Sequence, residues 1–107
     1  MESNNNIFLG SELKLNVSIA PIGTLTMDDY NWVIEVWTSA KRVVTIEKKD
    51  SKKVDENNYI ILVDTADIGT GDLKCKVNAQ IPDGDFADNY RTEIVVIDTG
   101  IKIVKSI

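Results

Sequence analysis

Apolar and polar residues alternate with a period of two along most of the chain. Leu13, Leu15, Val17 and Ile19 are separated by Lys14, Asn16 and Ser18, the pattern of a half-buried strand. Pro21 and Gly23 end it, because proline cannot donate to a ladder and glycine admits a turn. From Asn31 to Thr38, Trp32, Ile34, Val36 and Thr38 share one face, while Val33, Glu35 and Trp37 share the other. Both faces are substantially apolar, so this strand is expected to be central or covered on two sides. Arg42 to Lys48 is rich in β-branched residues, and a polar lysine turn then leads to a very short strand at Val54. Tyr59 to Thr65 is the next strong strand. After the corner Ala66–Gly71 comes the cleanest alternation, with Leu73, Cys75, Val77, Ala79 and Ile81 inward and Lys74, Lys76, Asn78 and Gln80 outward. Pro82 stops it, Asp83–Asn89 forms a loop, and Tyr90 to Asp98 is a strand whose run Ile94-Val95-Val96-Ile97 is apolar on both faces. Beyond Asp98-Thr99-Gly100, a short terminal strand covers Ile101 to Val104.

No segment carries a 3.6-residue apolar stripe with caps. About seven short strands, with turns every 8–12 residues or so, predict an all-β fold, an immunoglobulin-like two-sheet β-sandwich. A length of 107 residues is expected to make one domain. Residues 1–11, with Asn4-Asn5-Asn6, read as a flexible N-terminal arm, and residues 12–107 as the single sandwich domain.

Charge and composition then remove function classes. Twelve Lys+Arg against seventeen Asp+Glu leave a net charge of −5, which argues against a nucleic-acid partner, since phosphate contacts need clustered cations. No apolar run approaches a membrane span, and no secretory signal is visible at the N-terminus, so no membrane is expected as a partner. One cysteine gives no internal disulfide, which fits synthesis in a reducing cytoplasm. Histidine is absent, and with it the commonest general base, the commonest metal ligand and every Ser/His or Cys/His nucleophile pair.

The remaining chemistry is thin. Paired carboxylates at Asp28/Asp29, Asp67/Asp72 and Asp83/Asp85/Asp88 all fall in expected turns, where aspartate caps backbone N–H groups. A hydrolase built on them is the poorest reading. The loop Asp83–Asn89 lacks the ligand order of a calcium loop, although a sandwich loop can bind Ca²⁺ with irregular spacing. The glycines of Asp67-Ile68-Gly69-Thr70-Gly71 are followed by a strand and not a helix, which suits positive φ at a corner better than a phosphate cradle. Cys75 is in phase with Leu73 and Val77 and reads as a small core hydrophobe. Lys48, Lys49, Lys52 and Lys53 form the one basic cluster, a solvated hairpin tip or an electrostatic contact for an acidic protein surface. No catalytic, cofactor or metal residue is therefore expected.

Surplus apolar surface is more informative. With Trp32 facing the core, Val33 and Trp37 face outward, and Val95 and Ile97 lie off the face shared by Ile94 and Val96. Inverting the strand phase would exchange the two tryptophans. Loops or the arm could cover these side chains; alternatively they mark a protein–protein interface. The expected contact set is Val33, Trp37, Val95 and Ile97, with Ile7, Phe8 and Leu9 from the arm.

Three stretches carry a resemblance: DDYNWVIEVWT from Asp28, the segment from Asn58-Tyr59-Ile60 to Gly71-Asp72-Leu73-Lys74, and IPDGDFADNYRTEIVVIDTGI from Ile81. Together they resemble a small immunoglobulin-like domain of virion structural proteins in tailed phages of gut Bacteroidales, including crAss-like phages. Asp64–Gly71 fits that family's Asp-x-x-x-Leu/Ile-Gly-x-Gly corner and Ile81–Asp88 its acidic loop, with Asn89-Tyr90 where glycine is often found. The resemblance, over most of residues 12–104, implies a virion protein without enzymatic activity, made in the host bacterial cytoplasm. It implies first a capsid auxiliary (decoration) protein docking on the major capsid protein or another virion protein, with self-association open. The alternative it implies is a head-fibre or tail-associated adhesion module for a host surface ligand. It brings no catalytic or cofactor residue.

Overall fold

A computed structural model describes residues 6–40 and 42–105, and the period-two segments are strands in it. They are β1 (Asn6–Phe8), β2 (Glu12–Ser18), β3 (Asn31–Trp37), β4 (Val43–Glu47), β5 (Lys52–Asp55), β6 (Asn58–Asp64), β7 (Gly71–Pro82) and β8 (Tyr90–Val104). A five-stranded sheet in the order β1-β8-β7-β3-β4 faces a three-stranded sheet in the order β2-β6-β5. Every pairing is antiparallel except β1 with β8. The result is the expected two-sheet β-sandwich. Reading β2 to β8 as strands B, C, C′, D, E, F and G gives the immunoglobulin arrangement of GFCC′ over BED. The first strand lies beside β8 instead of beside β2, so β2 is left as a sheet edge.

Two expectations are corrected. The Asp98-Thr99-Gly100 turn signal does not separate two strands, because β8 runs through it to Val104. Lys74 pairs with Asp98 but Asp72 with Lys102, so β8 takes up two extra residues at this point. Gly100 accommodates them at φ +75, and the Thr99 hydroxyl donates to the Leu73 carbonyl at 2.8 Å. A residue pair that reads as a turn is here a bulge, which preserves the in/out alternation because two residues were added and not one. The second correction concerns the arm: Asn6–Phe8 is strand β1, paired in parallel with Lys102–Val104. Leu9 N–H continues that ladder to the Val104 carbonyl at 2.8 Å, and the Thr65 hydroxyl accepts from Gly10 N–H and donates to the Ser11 carbonyl. Residues 1–5 of the expected arm lie outside the described residues.

Trp32, Ile34 and Val36 of β3, Leu73 to Ile81 on the inward phase of β7, and Tyr59, Ile61 and Val63 of β6 form the core, as their alternation predicts. Trp32 and Tyr59 meet edge to face at 5.6 Å, one residue from each sheet. The Gly69–Gly71 corner is held against the β3–β4 loop. Gly71 has φ +123, and a Cβ there would lie 2.1 Å from Ser39 Oγ. Thr38 Oγ1 locks the approach by donating to the Ile68 carbonyl at 3.0 Å.

Candidate functional site

The feature that stands apart from ordinary sandwich packing is a groove between β2 and β8. Antiparallel register places Val36, Cys75 and Ile97 in one inward row across β3, β7 and β8, and Ile34, Val77 and Val95 in the next. In each row the β3 and β7 members are buried, but Val95 remains 52 % and Ile97 43 % exposed. The cause is sheet width. The smaller sheet ends at β2 among the described residues, and none of its strands lies over β8. The space left is about 760 Å³, with Leu15, Val17 and Ile19 on one wall and Val95, Ile97 and Ile101 on the other. Glu93, ion-paired to Arg91 at 3.0 Å, marks one end.

Both strands bordering the groove have main chain without a partner among the described residues. Thr65 N–H donates to the Ser11 carbonyl, so odd-numbered residues of β2 bond to β6, and the alternation of antiparallel ladders turns Lys14, Asn16 and Ser18 toward the open side. On β8, Asp83 N–H donates to the Asn89 carbonyl in the register that continues to Ile81↔Arg91 and Val77↔Val95. Pro82, which has no N–H to give, occupies the intervening non-bonded position. Odd residues of β8 therefore bond to β7, and the N–H and C=O groups of Thr92, Ile94, Val96 and Asp98 face outward, with no partner strand among the described residues. Among the described residues, that edge stays unpaired until β1 joins at Lys102.

The expected contact residues fall into three places. Val33 and Trp37 lie on the outer face of β3, half-buried, with Asn78 and Lys74 opposite them on β7. Val95 and Ile97 lie on the inner face of the same sheet, so these four do not form one surface. The outer-face apolar residues of β8 are Ile94 and Val96, 54 % and 62 % exposed, and the polar row Lys74, Lys76, Asn78 separates them from Val33 and Trp37. Phe8 is exposed, whereas Ile7 and Leu9 are half-buried and Leu9 packs on the core. Leu15, Ile19 and Ile101 line the groove without having been expected there. Their alternation reads as core, and only the missing neighbour strand makes them a wall.

Four titratable groups are held by burial or by contacts within the fold. The Asp28 carboxylate accepts from Lys53 Nζ at 2.7 Å and from the Tyr59 hydroxyl at 2.6 Å, bonds that hold its pKa below the ordinary carboxylate value. Burial, with the Asp28 bond second, pushes Tyr59 up to about 12. Lys48 Nζ donates to the Tyr30 carbonyl at 2.6 Å and the Asp28 carbonyl at 3.1 Å, and burial lowers its pKa. Two lysines of the basic turn are thus engaged internally. Burial raises the Cys75 thiol, consistent with a core residue and not an activated nucleophile. In the acidic loop, Asp83 accepts from Asp85 N–H at 3.1 Å, and Asn89 adopts φ +62, where a glycine would also serve. Among the described residues, no three of Asp, Glu and Cys are placed together to hold a metal ion. No helix among them is long and apolar enough to cross a membrane. The groove offers an apolar wall beside main chain that has no partner among the described residues, which suits docking and strand pairing, and no family model, curated protein or solved structure matches the chain.

Proposed function

We propose that the protein is a non-enzymatic structural module that docks on a larger assembly, and that this assembly is a phage capsid. The single observation behind the docking role is the inward row Val95–Ile97, left uncovered beside the open edge of β2. Natural sandwiches cover such rows, and a contiguous apolar surface joined to free main-chain donors suits a protein partner. The choice of a capsid rests on the resemblance of the Asp64–Gly71 corner and the Ile81–Asp88 loop to virion domains, because function resides in sites and not in folds. In this reading the partner is the major capsid protein or another virion protein, and the protein works as a decoration subunit without cofactor.

Particles purified from cells producing the protein test the reading by quantitative mass spectrometry against the shell protein. Copies in the hundreds per particle support decoration, a dozen or fewer move the protein to a vertex or tail, and absence overturns the virion role. Ile97→Asp is expected to abolish incorporation while the isolated domain stays folded. Unchanged incorporation would take the groove out of the interface.

A further inference from the structure

The β8 strand between Tyr90 and Asp98 differs from the rest of the sandwich in being apolar and exposed on both faces at once. Ile94 and Val96 are exposed on the outer face, Val95 and Ile97 on the inner, each between 43 % and 62 %. A body lying in the groove covers the inner pair alone, and one lying on the outer face covers the outer pair alone. A strand added edge-on reaches both. Tyr90–Asp98 contains no proline, lysine or bulge, three of the devices by which natural edge strands avoid pairing, and its charges, Arg91 and Glu93 at one end and Asp98 at the other, flank the apolar run without interrupting it.

We infer that this edge pairs with the same edge of a second copy, β8 to β8 in antiparallel about a twofold axis normal to the sheet. Antiparallel pairing is self-complementary under such an axis, so one strand supplies both halves of the contact. The axis keeps inner faces together and outer faces together, so odd residues must meet odd and even meet even. Centring on Val95 places it opposite its own counterpart and Ile94 opposite Val96 of the second copy, on both sides of the axis. The two Glu93 side chains are then four residues out of register, about 13 Å along the strand. Centring on Ile94 instead brings the two Glu93 to diagonal positions about 7–8 Å apart, which disfavours that register. With Val95 at the axis, Thr92, Ile94, Val96 and Asp98 meet their bonding partners, giving about eight main-chain hydrogen bonds.

The second copy is favoured by symmetry, and the size of the contact sets its strength. A stable interface takes about 800 Å² and 20–30 residues from each side. Nine residues of strand fall short of that, so the contact forms a weak dimer whose population follows concentration. The inference does not rest on the docking reading, since it concerns the isolated chain.

Sedimentation velocity on the full chain between about 5 and 500 µM, a range suited to small interfaces, provides the test. The average mass should climb from 11.9 kDa toward twice that value. Val96→Lys puts an ammonium on an exposed edge position, so it should keep the thermal midpoint and remain monomeric throughout. In a Cys75→Ala background, Val95→Cys should oxidise to a covalent dimer, because non-bonded antiparallel pairs bring Cα atoms to about 4.5 Å, within disulfide range. Ile94→Cys in the same background should not. A monomer at all concentrations overturns the inference, as does a dimer indifferent to Val96→Lys or one cross-linked through residue 94 and not 95. Loss of the dimer would leave incorporation into particles unaffected as a question, and failure of incorporation would leave the dimer standing.

Discussion

Single residues fix the places where the two sheets and their corners come together. Gly71 is the sharpest case: at its φ of +123, an added Cβ would collide with the Ser39 side chain and press on its backbone N–H. Gly71→Ala should destabilise by about 2–3 kcal/mol, from a disfavoured backbone region together with a forced displacement of the neighbouring loop. Gly84→Ala meets nothing within 4 Å at an ordinary φ and should change the urea midpoint little. Tyr59 is a second fixed point, with its ring on Trp32 and its hydroxyl on Asp28. Its folded pKa of about 12 lies above the ordinary value of 10.0, so the phenol's contribution is fully present below pH 10 and is lost as pH rises through 12. Tyr59→Phe should cost about 1 kcal/mol at neutral pH and flatten that alkaline loss, read as urea midpoints across pH. The depressed Asp28 value has the opposite sign. Its contribution is present above the ordinary carboxylate range and disappears as pH falls through the folded value.

At the scale of the element, β1 separates what the sequence discloses from what it withholds. Its inward side chain is Ile7, opposite Ile103, followed just past the strand by Leu9, which packs on the core, while Phe8 points to solvent at 59 % exposure. Leu9→Ala should therefore lower stability by about 2 kcal/mol, and Phe8→Ala by no more than about 0.5 kcal/mol, both read from denaturant midpoints. Neither asymmetry can be read from the triplet Ile7-Phe8-Leu9, because three residues are too few to establish a period. Where alternation runs longer, as from Leu73 to Ile81 or Leu13 to Ile19, burial follows it closely. Cys75 falls where its phase puts it. The bulge at Thr99-Gly100 could not be anticipated, since the same residues make a turn when the chain reverses and a bulge when it continues. The groove was half legible. The double-faced run Ile94–Ile97 is visible in the sequence, but the vacancy beside β2 depends on which strands become neighbours. Strand order is set by long-range pairing, of which a local pattern holds no record.

At the scale of the whole molecule, shape and charge decide how the exposed edge behaves. The domain measures 53 × 27 × 25 Å, and the fifteen residues of β8 would span about 50 Å when extended. Copies joined side by side along that edge would hold their centres about one width apart. Each carries a net charge of −5, so the pair is opposed by its own field. At that width, two such charges repel by about 4 kcal/mol in unscreened water. The screening length is about 30 Å at 0.01 M salt and about 8 Å at 0.15 M, so about two-fifths of the repulsion survives at the first and almost none at the second. The dimer should therefore tighten by about tenfold between those concentrations, the equivalent of about 1.4 kcal/mol, as measured by sedimentation equilibrium. Docking on a positively charged lattice should respond in the opposite direction, weakening as salt rises, because there the same five negative charges attract. Association that weakens with salt in the purified protein would mean that charged groups, and not the apolar strand edge, hold the copies together.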